Sequence, residues 1–276
     1  MYKTILVHLD QSHALEDRVE LAVRLAARFD AHLVGLLTQM PWSVPVYAEI
    51  PIGAEVINQA EAALAETADR IVSLFEAHAA SAGISHESRV EEGGASQLII
   101  AHGRYSDLII LGQRDPDDDF PPDSGVANAV LLESGRPCLM VPYIGAPESC
   151  GERILAAWNG GREAARAFSD AAPFMQEARE VTVFVANPKE TVRAEGPLPG
   201  ADIAVVLSRQ GITAEVNTVT VDDIDVGNEM LSHAFDTDID LIVMGAYGHS
   251  RFRELVLGGA TRFLLKHMTV PVLMAH

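Results

Sequence analysis

Three apolar strand-like runs occur twice in this chain, in the same order. "TILVHLD" at Thr4–Asp10 matches "RILAAWN" at Arg153–Asn159, and "DLIILG" at Asp107–Gly112 matches "DLIVMG" at Asp240–Gly245. "RPCLMVP" at Arg136–Pro142 matches "VPVLMAH" at Val270–His276. Three ordered matches mean a duplicated domain, and duplication constrains a fold more tightly than any single motif. The expected units are 1–145 and 151–276. They are divided near "YIGAPESCGE", Tyr143–Glu152, where Gly, Pro and Ser interrupt both apolar periodicities.

Within each half, short β-branched runs alternate with helical patterns. The first half reads as strands at 4–9, 32–38, 85–90, 107–111 and 138–141, with helices near 13–29, 55–82, 94–103 and 124–134. In the second half the strands fall at 153–158, 180–186, 213–219, 240–244 and 271–275. Its helices fall near 161–175, 198–210, 226–235 and 259–267. Such alternation around continuously apolar strands implies an α/β fold, a parallel sheet covered on both faces. The last apolar strand of each half, Cys138–Val141 and Val272–Met274, is expected to bury its edge against its twin. In open parallel sheets ligands bind beyond the carboxyl ends of the strands, where strand order reverses. The ends of the first and fourth strands of each half are therefore the places to look.

Composition narrows the partners. Twenty basic against thirty-nine acidic side chains leave a formal charge of −19, which repels nucleic-acid backbones and anionic lipid. No apolar run approaches the ~20 residues of a membrane span. "MYKTILVHLD" enters a strand pattern at once, without signal-peptide architecture. Two cysteines, Cys138 in an apolar strand and Cys150 in the linker, make no disulfide framework and predict reduced thiols in a cytoplasm. Any phosphate site must be local, built from dipoles and N–H groups.

One stretch has that character. After "DLIVM" come Gly245, Gly248, Gly258 and Gly259, then Thr261 and the helical run "RFLLKH". Glycines bring backbone N–H groups against a ligand without Cβ interference, and a helix N-terminus adds roughly half a positive charge. Together they make an anion site. Ser250 and Thr261 supply hydroxyls, Arg251 a charge, and His249 a further donor. The simpler reading is a glycine turn with Thr261 capping the helix. Four glycines with hydroxyls at the carboxyl end of a strand favour phosphate. The spacing is neither that of P-loop NTPases nor that of dinucleotide folds.

The glycine spacing, G-x-x-G, nine residues, then G-G-x-T, resembles the universal stress protein family, most specifically in "MGAYGHSRFRELVLGGATRFLLKHMTVPVLM". The resemblance covers essentially the whole chain as a tandem pair. It implies two five-stranded α/β sandwich domains that pair along their last strands, as an intrachain pseudo-dimer with room for a further homodimer. It also implies ATP, or AMP or ADP, with or without Mg, held in a binding and regulatory role in a stress response. The alternatives are a slow ATPase or nucleotidyl-transfer enzyme on the same site, and an interaction scaffold or binder of another small ligand. Gly245, Gly248 and Gly258 match the family's phosphate glycines, and Thr261 its second hydroxyl position. Gly259 stands where the family has Ser or Thr, removing a hydroxyl but keeping the N–H. Ala157, Trp158, Asn159, Val185, Met244 and Ala260 complete the implied contacts. Asn159 replaces the acidic residue that Asp10 supplies in the first half, and can hydrogen-bond but not act as a carboxylate. Trp158 is more often core than a stacking platform.

In the first half the matching segment is "LGQRDPDDDFPPDSGVANAVLL". Asp115 stands where Gly248 would be, and "SGVA" at Ser124–Ala127 replaces "GGAT". Asp115, Asp117, Asp118, Asp119 and Asp123 crowd the place of the phosphates, and Pro116, Pro121 and Pro122 remove N–H donors. Like charges ~4 Å apart cost about 1 kcal/mol even in bulk water. The expectation is a solvated acidic loop and a degenerate nucleotide site; a cation site is the alternative, without the EF-hand spacing. "HLDQSH" carries metal-like His8, Asp10 and His13, but His8 lies inside a strand. The Pro-rich segment Gln39–Val56, with Trp42 and Tyr47, reads either as a lid or contact surface or as an irregular connection.

Overall fold

The computed structural model describes residues 1–40, 54–123, 125–187, 200–221, 226–248 and 259–276. The first half runs β1 (Thr4–Leu9), α1 (Leu15–Phe29), β2 (His32–Gln39), α2 (Ala54–Ser81), β3 (His86–Glu92), α3 (Ala95–Gly103), β4 (Leu108–Gly112), α4 (Val126–Glu133) and β5 (Cys138–Val141). The second runs β6 (Arg153–Ala157), α5 (Arg162–Asp170), α6 (Ala172–Glu177), β7 (Glu180–Ala186), α7 (Ala201–Arg209) and β8 (Glu215–Val219). It continues with α8 (Val226–Asp236), β9 (Leu241–Gly245), α9 (Gly259–His267) and β10 (Val272–Ala275).

All these strands join one ten-stranded sheet in the order β3-β2-β1-β4-β5-β10-β9-β6-β7-β8. Within each half the pairs are parallel. At the centre β5 and β10 run antiparallel, with Leu139 opposite Leu273. The two terminal strands thus satisfy each other's edges, as the repeat predicts. In each half the order reverses beside the first strand, since β1 lies between β2 and β4 and β6 lies between β7 and β9.

Strand residues alternate between two cores, as a two-residue side-chain period requires. Ile5, Val7 and Leu9 belong to a core that also holds buried residues of α1, α2, α5 and α6, including Phe75 and Phe174. Leu6 belongs to the core on the other face, which also holds Ile99 of α3, Val130 of α4, Met230 of α8 and Leu264 of α9. A repeated aspartate fixes the start of each half. Asp107, just before β4, accepts the N–H groups of Lys3 and Thr4 at 2.7 and 3.0 Å. Asp240, just before β9, accepts those of Gly151, Glu152 and Arg153 at 2.9, 3.1 and 3.0 Å. These are charge-assisted bonds to amides that precede or begin the first strand.

One expectation changes. The helix expected near 161–175 is two helices, α5 and α6, because Pro173 in the first turn of α6 has no N–H to extend the ladder. Cys150, in the segment between the halves, is buried. Its carbonyl accepts from Arg28 Nη1 at 2.7 Å, beside a cluster in which Tyr2, Phe29 and Phe174 meet edge to face across the two halves. Burial pushes the Cys138 thiol up to about 12 and Cys150 further still, so neither is a ready thiolate. Residues 41–53 of the Pro-rich 39–56 segment, including Trp42 and Tyr47, lie outside the described residues.

Candidate functional site

Beyond the carboxyl ends of β6 and β9 the second half opens into a cavity of about 550 Å³. It falls within the ~300–1,000 Å³ usual for small-molecule sites. Nine of the residues singled out in the sequence line it together: Ala157, Trp158, Asn159, Met244, Gly245, Gly248, Gly259, Ala260 and Thr261. They come from three elements and two loops, so convergence here is a property of the fold. His249, Ser250, Arg251 and Gly258 lie outside the described residues. Val185 does not line the cavity. Strand alternation turns it to the opposite face, where a Cβ at Gly200 would lie 2.9 Å from its Cγ2. Its neighbours Phe184 and Ala186 face the cavity instead, with Met230 of α8.

The first turn of α9 faces this space with Gly259, Ala260 and Thr261. The first N–H groups of a helix have no intrahelical partner, so this end of the cavity carries donors and a positive dipole. Thr261 is buried, and its Oγ1 accepts the Tyr247 N–H at 3.3 Å, which leaves its own hydroxyl hydrogen to donate. Tyr247, between Gly245 and Gly248, holds a positive φ of 60°, a conformation uncommon for any residue but glycine. The opposite wall is apolar. Trp158 is partly buried, edge-on to Phe168 at 5.2 Å, and its indole belongs to both core and cavity.

Two details are not visible in the sequence. A Cβ at Gly245 would lie 2.5 Å from the Ala164 nitrogen and 2.5 Å from the Glu163 carbonyl carbon. Gly245 is therefore required by the close approach of α5 to β9, whatever a ligand asks of it. That approach also brings in Glu163, which the sequence reading missed. Its side chain is 7% exposed and accepts from Arg162 Nε at 2.5 Å. A Cβ at Gly248 would sit 3.2 Å from its Oε2 and 3.5 Å from Asn159 Nδ2. Burial alone would raise the Glu163 pKa, but the Arg162 guanidinium holds it below the ordinary carboxylate range, so the group is ionised. Asn159 Oδ1 accepts the Gly161 N–H at 2.9 Å and closes the turn into α5.

The first half departs from this plan. Arg18 of α1 is fully buried, donating from Nε to the His8 carbonyl at 3.0 Å and from Nη2 to Asp10 at 2.6 Å. Its Nη1 occupies the place of a side chain on Gly112, 1.9 Å from where a Cβ would be. Burial would raise the Asp10 pKa, but Arg18, His8 and Ser12 together hold it down. His8 Nε2 is paired with Thr38 Oγ1 at 3.0 Å, and the His13 N–H donates to Asp118 at 2.7 Å, so the metal-like residues are engaged in other contacts. The acidic loop is not wholly solvated. Asp118 is turned inward and also accepts the Phe120 N–H at 2.9 Å, which overcomes its desolvation and lowers its pKa. Asp115 and Asp123 accept amides two residues on, from Asp117 and Gly125.

The duplicated α/β unit, with a ligand-sized cavity at the strand-order reversal of its second half, defines a class of open-sheet, tandem-domain proteins. The universal stress protein family model matches twice, over residues 1–142 and 151–276. The chain belongs to the universal stress protein family, as a tandem pair. It is 28% identical over 174 residues to Universal stress protein Slr1230 of Synechocystis sp., a match covering 60% of this chain and 57% of that protein. The chain thus spans somewhat over half of the curated relative it matches. The crystal structure of a universal stress protein from Archaeoglobus fulgidus superposes with a TM-score of 0.75 at 17% identity, covering 99% of this chain and 97% of that one. A functionally unknown protein, PA1789 from Pseudomonas aeruginosa, gives 0.61 at 16% identity, covering 99% and 92%. At these identities the two structures establish the fold. No described helix is long and apolar enough to cross a membrane.

Proposed function

We propose that the second half holds an adenine nucleotide, ATP or its di- or monophosphate, and that the protein acts in a reducing, cytoplasmic setting by binding and regulation. The observation that carries this reading is the convergence of Gly248 and the first turn of α9 on the same cavity as the apolar ends of β6, β7 and β9. The donors suit phosphate and the apolar wall of Phe184, Met230 and Met244 suits a base. Asn159 and the Thr261 hydroxyl supply neutral hydrogen bonds rather than catalytic groups.

Glu163 gives the slow-hydrolase reading a residue of its own. An ionised carboxylate beside Gly248 repels bare phosphates and favours a nucleotide that brings Mg²⁺, whose oxygen-seeking chemistry Glu163 would satisfy. A carboxyl with a depressed pKa is a better metal ligand than proton acceptor, and this keeps binding ahead of hydrolysis. Mass spectrometry of ligand released from the purified protein tests the proposal. Adenine nucleotide at one per chain is expected. A different ligand overturns the reading, and steady phosphate release under excess ATP moves it to the enzyme.

A further inference from the structure

The first half is not merely a blank copy. At the place where it departs from the glycine pattern there is a cavity of about 660 Å³, and residues of both halves close it. The antiparallel pairing of β5 with β10 sets α9 of the second half beside α4 of the first. Tyr247 bonds across the junction, its hydroxyl donating to Asn128 Oδ1. Gln113 ties the same junction, donating to the Leu265 carbonyl at 3.3 Å. The inner lining is apolar, with Leu111, Val126, Met140 and Leu265.

The polar lining has an uneven charge. Arg114, Arg262 and Lys266 reach it, and Asp123 is the only acidic lining residue among those described. All three cations are exposed, and none has an ion-pair or hydrogen-bond partner among the described residues. In a chain with thirty-nine acidic side chains against twenty basic ones, three cations around one mouth with no partner among the described residues need a reason. A second observation points the same way. Arg18 Nη1 is buried without a hydrogen-bond partner, directly behind the cavity wall at Gly112. Its Nη2 is paired with Asp10 at 2.6 Å, which leaves Nη1 as the donor that faces Gly112.

We propose that this cavity between the halves is a second binding site, and that its ligand is a small organic anion with one carboxylate on an apolar body. Arginine forks match a carboxylate in two parallel hydrogen bonds, and the apolar floor takes the remainder of the molecule. A triphosphate fits poorly. Pro116 and Pro122 in the lining offer no N–H groups, no glycine nest is present among the described lining residues, and Asp123 opposes high negative charge. This site stands apart from the nucleotide proposal, since the two cavities share no described lining residue, although α9 contributes different residues to each.

Octanoate is a suitable probe, with octan-1-ol as its uncharged counterpart. Calorimetry on the full chain is expected to show one saturable octanoate site, with octanol at least about tenfold weaker. The triple variant Arg114→Gln, Arg262→Gln, Lys266→Gln changes only exposed side chains. It should lose about tenfold or more in octanoate affinity while keeping its circular dichroism and its ATP titration. Ala127→Phe, which fills the cavity from α4 without touching the charges, should also abolish octanoate binding. ATP should not displace the probe. Equal binding of octanol, an unaffected triple variant, competitive displacement by ATP, or no saturable octanoate binding at millimolar concentration would each overturn the proposal.

Discussion

Replacing Gly248 by aspartate tests the anion site at one atom. The first half carries aspartate at the matching position, Asp115, so the substitution copies a change the chain already contains. A Cβ at Gly248 would sit 3.2 Å from Glu163 Oε2, tighter than an ordinary contact but relieved by a few tenths of an ångström. The φ there is not left-handed, so the backbone accepts a side chain. The new carboxylate would lie roughly 4 Å from that of Glu163. Two like charges at that distance cost about 1 kcal/mol in water and about 4 kcal/mol at a surface-like dielectric. Gly248 is half-buried, which places the loss of stability at about 1–2 kcal/mol. Bound phosphates would meet the same charge, and ATP affinity should fall by at least about 1.4 kcal/mol, or tenfold. Calorimetric titration with ATP, on protein shown to be folded by circular dichroism, reads this directly. Gly248→Asn has the same shape without the charge and should lose much less. Adding Glu163→Gln should return part of the lost stability, a coupling that a double-mutant cycle isolates. A Gly248→Asp protein that binds ATP as wild type refutes the anion site. Equal losses from Asp and Asn refute the electrostatic account of it.

Three further outcomes follow from the same geometry. Gly245→Val should cost about 2–3 kcal/mol in urea denaturation even without nucleotide, because its Cβ meets the backbone of α5 at 2.5 Å; an unchanged midpoint would contradict the packing role. Asp240→Ala strands three amide donors at the entry to β6 and should cost at least about 3 kcal/mol by the same measurement, and a loss under 1 kcal/mol would show those bonds to be replaceable by water. Burial lowers the His8 pKa to about 4, against the pull of Asp10, so the folded state resists a proton that the unfolded chain takes up from about 6.5. Stability should then be full above pH 6.5 and fall by about 2 kcal/mol between pH 7.5 and 5, a slope that His8→Gln should flatten; the depressed carboxylates Asp10, Asp118 and Glu163 act only below about pH 4.

The duplication, the strands and their central pairing were legible because each is a local pattern with a period the eye can check. Asp107 and Asp240 sit in the repeated "DLI" for a reason the pattern alone did not give, since their partners are amides more than eighty residues away. The split of α5 from α6 had a signal in Pro173 that an unbroken apolar stripe concealed. Val185 shows the cost of carrying over a position without checking its strand face, because a one-residue step along β7 exchanges cavity for core. Glu163, the inward turn of Asp118 and the cavity between the halves had no linear signal. Each depends on how closely two elements approach, and approach is set by packing rather than spacing.

That dependence also accounts for the asymmetry of the two halves. The glycine ending the fourth strand is kept in both, Gly112 and Gly245, and the two keep it for different neighbours. Beside Gly245 the backbone of α5 comes into contact and carries Glu163 and the turn of Asn159 to the cavity. Beside Gly112 it is the Arg18 guanidinium that fills the space, pinned by Asp10. What the first helix of each half places against this glycine thus changes what the same sheet terminus presents. With α5 pressed in, the second half offers neutral donors and one carboxylate beside a helix N-terminus. With Arg18 inserted, the first half puts a buried cation behind its wall and exposed cations at its mouth, a surface that selects against a polyphosphate's geometry and for a single negative group. Exchanging the neighbours, by Arg18→Met with Asp10→Asn, removes one buried charge of each sign, which is frequently neutral for stability. It should weaken anion binding in the first half and leave ATP binding in the second unchanged. Loss of ATP binding in that variant would show that the halves are coupled through Tyr247 rather than specialised separately.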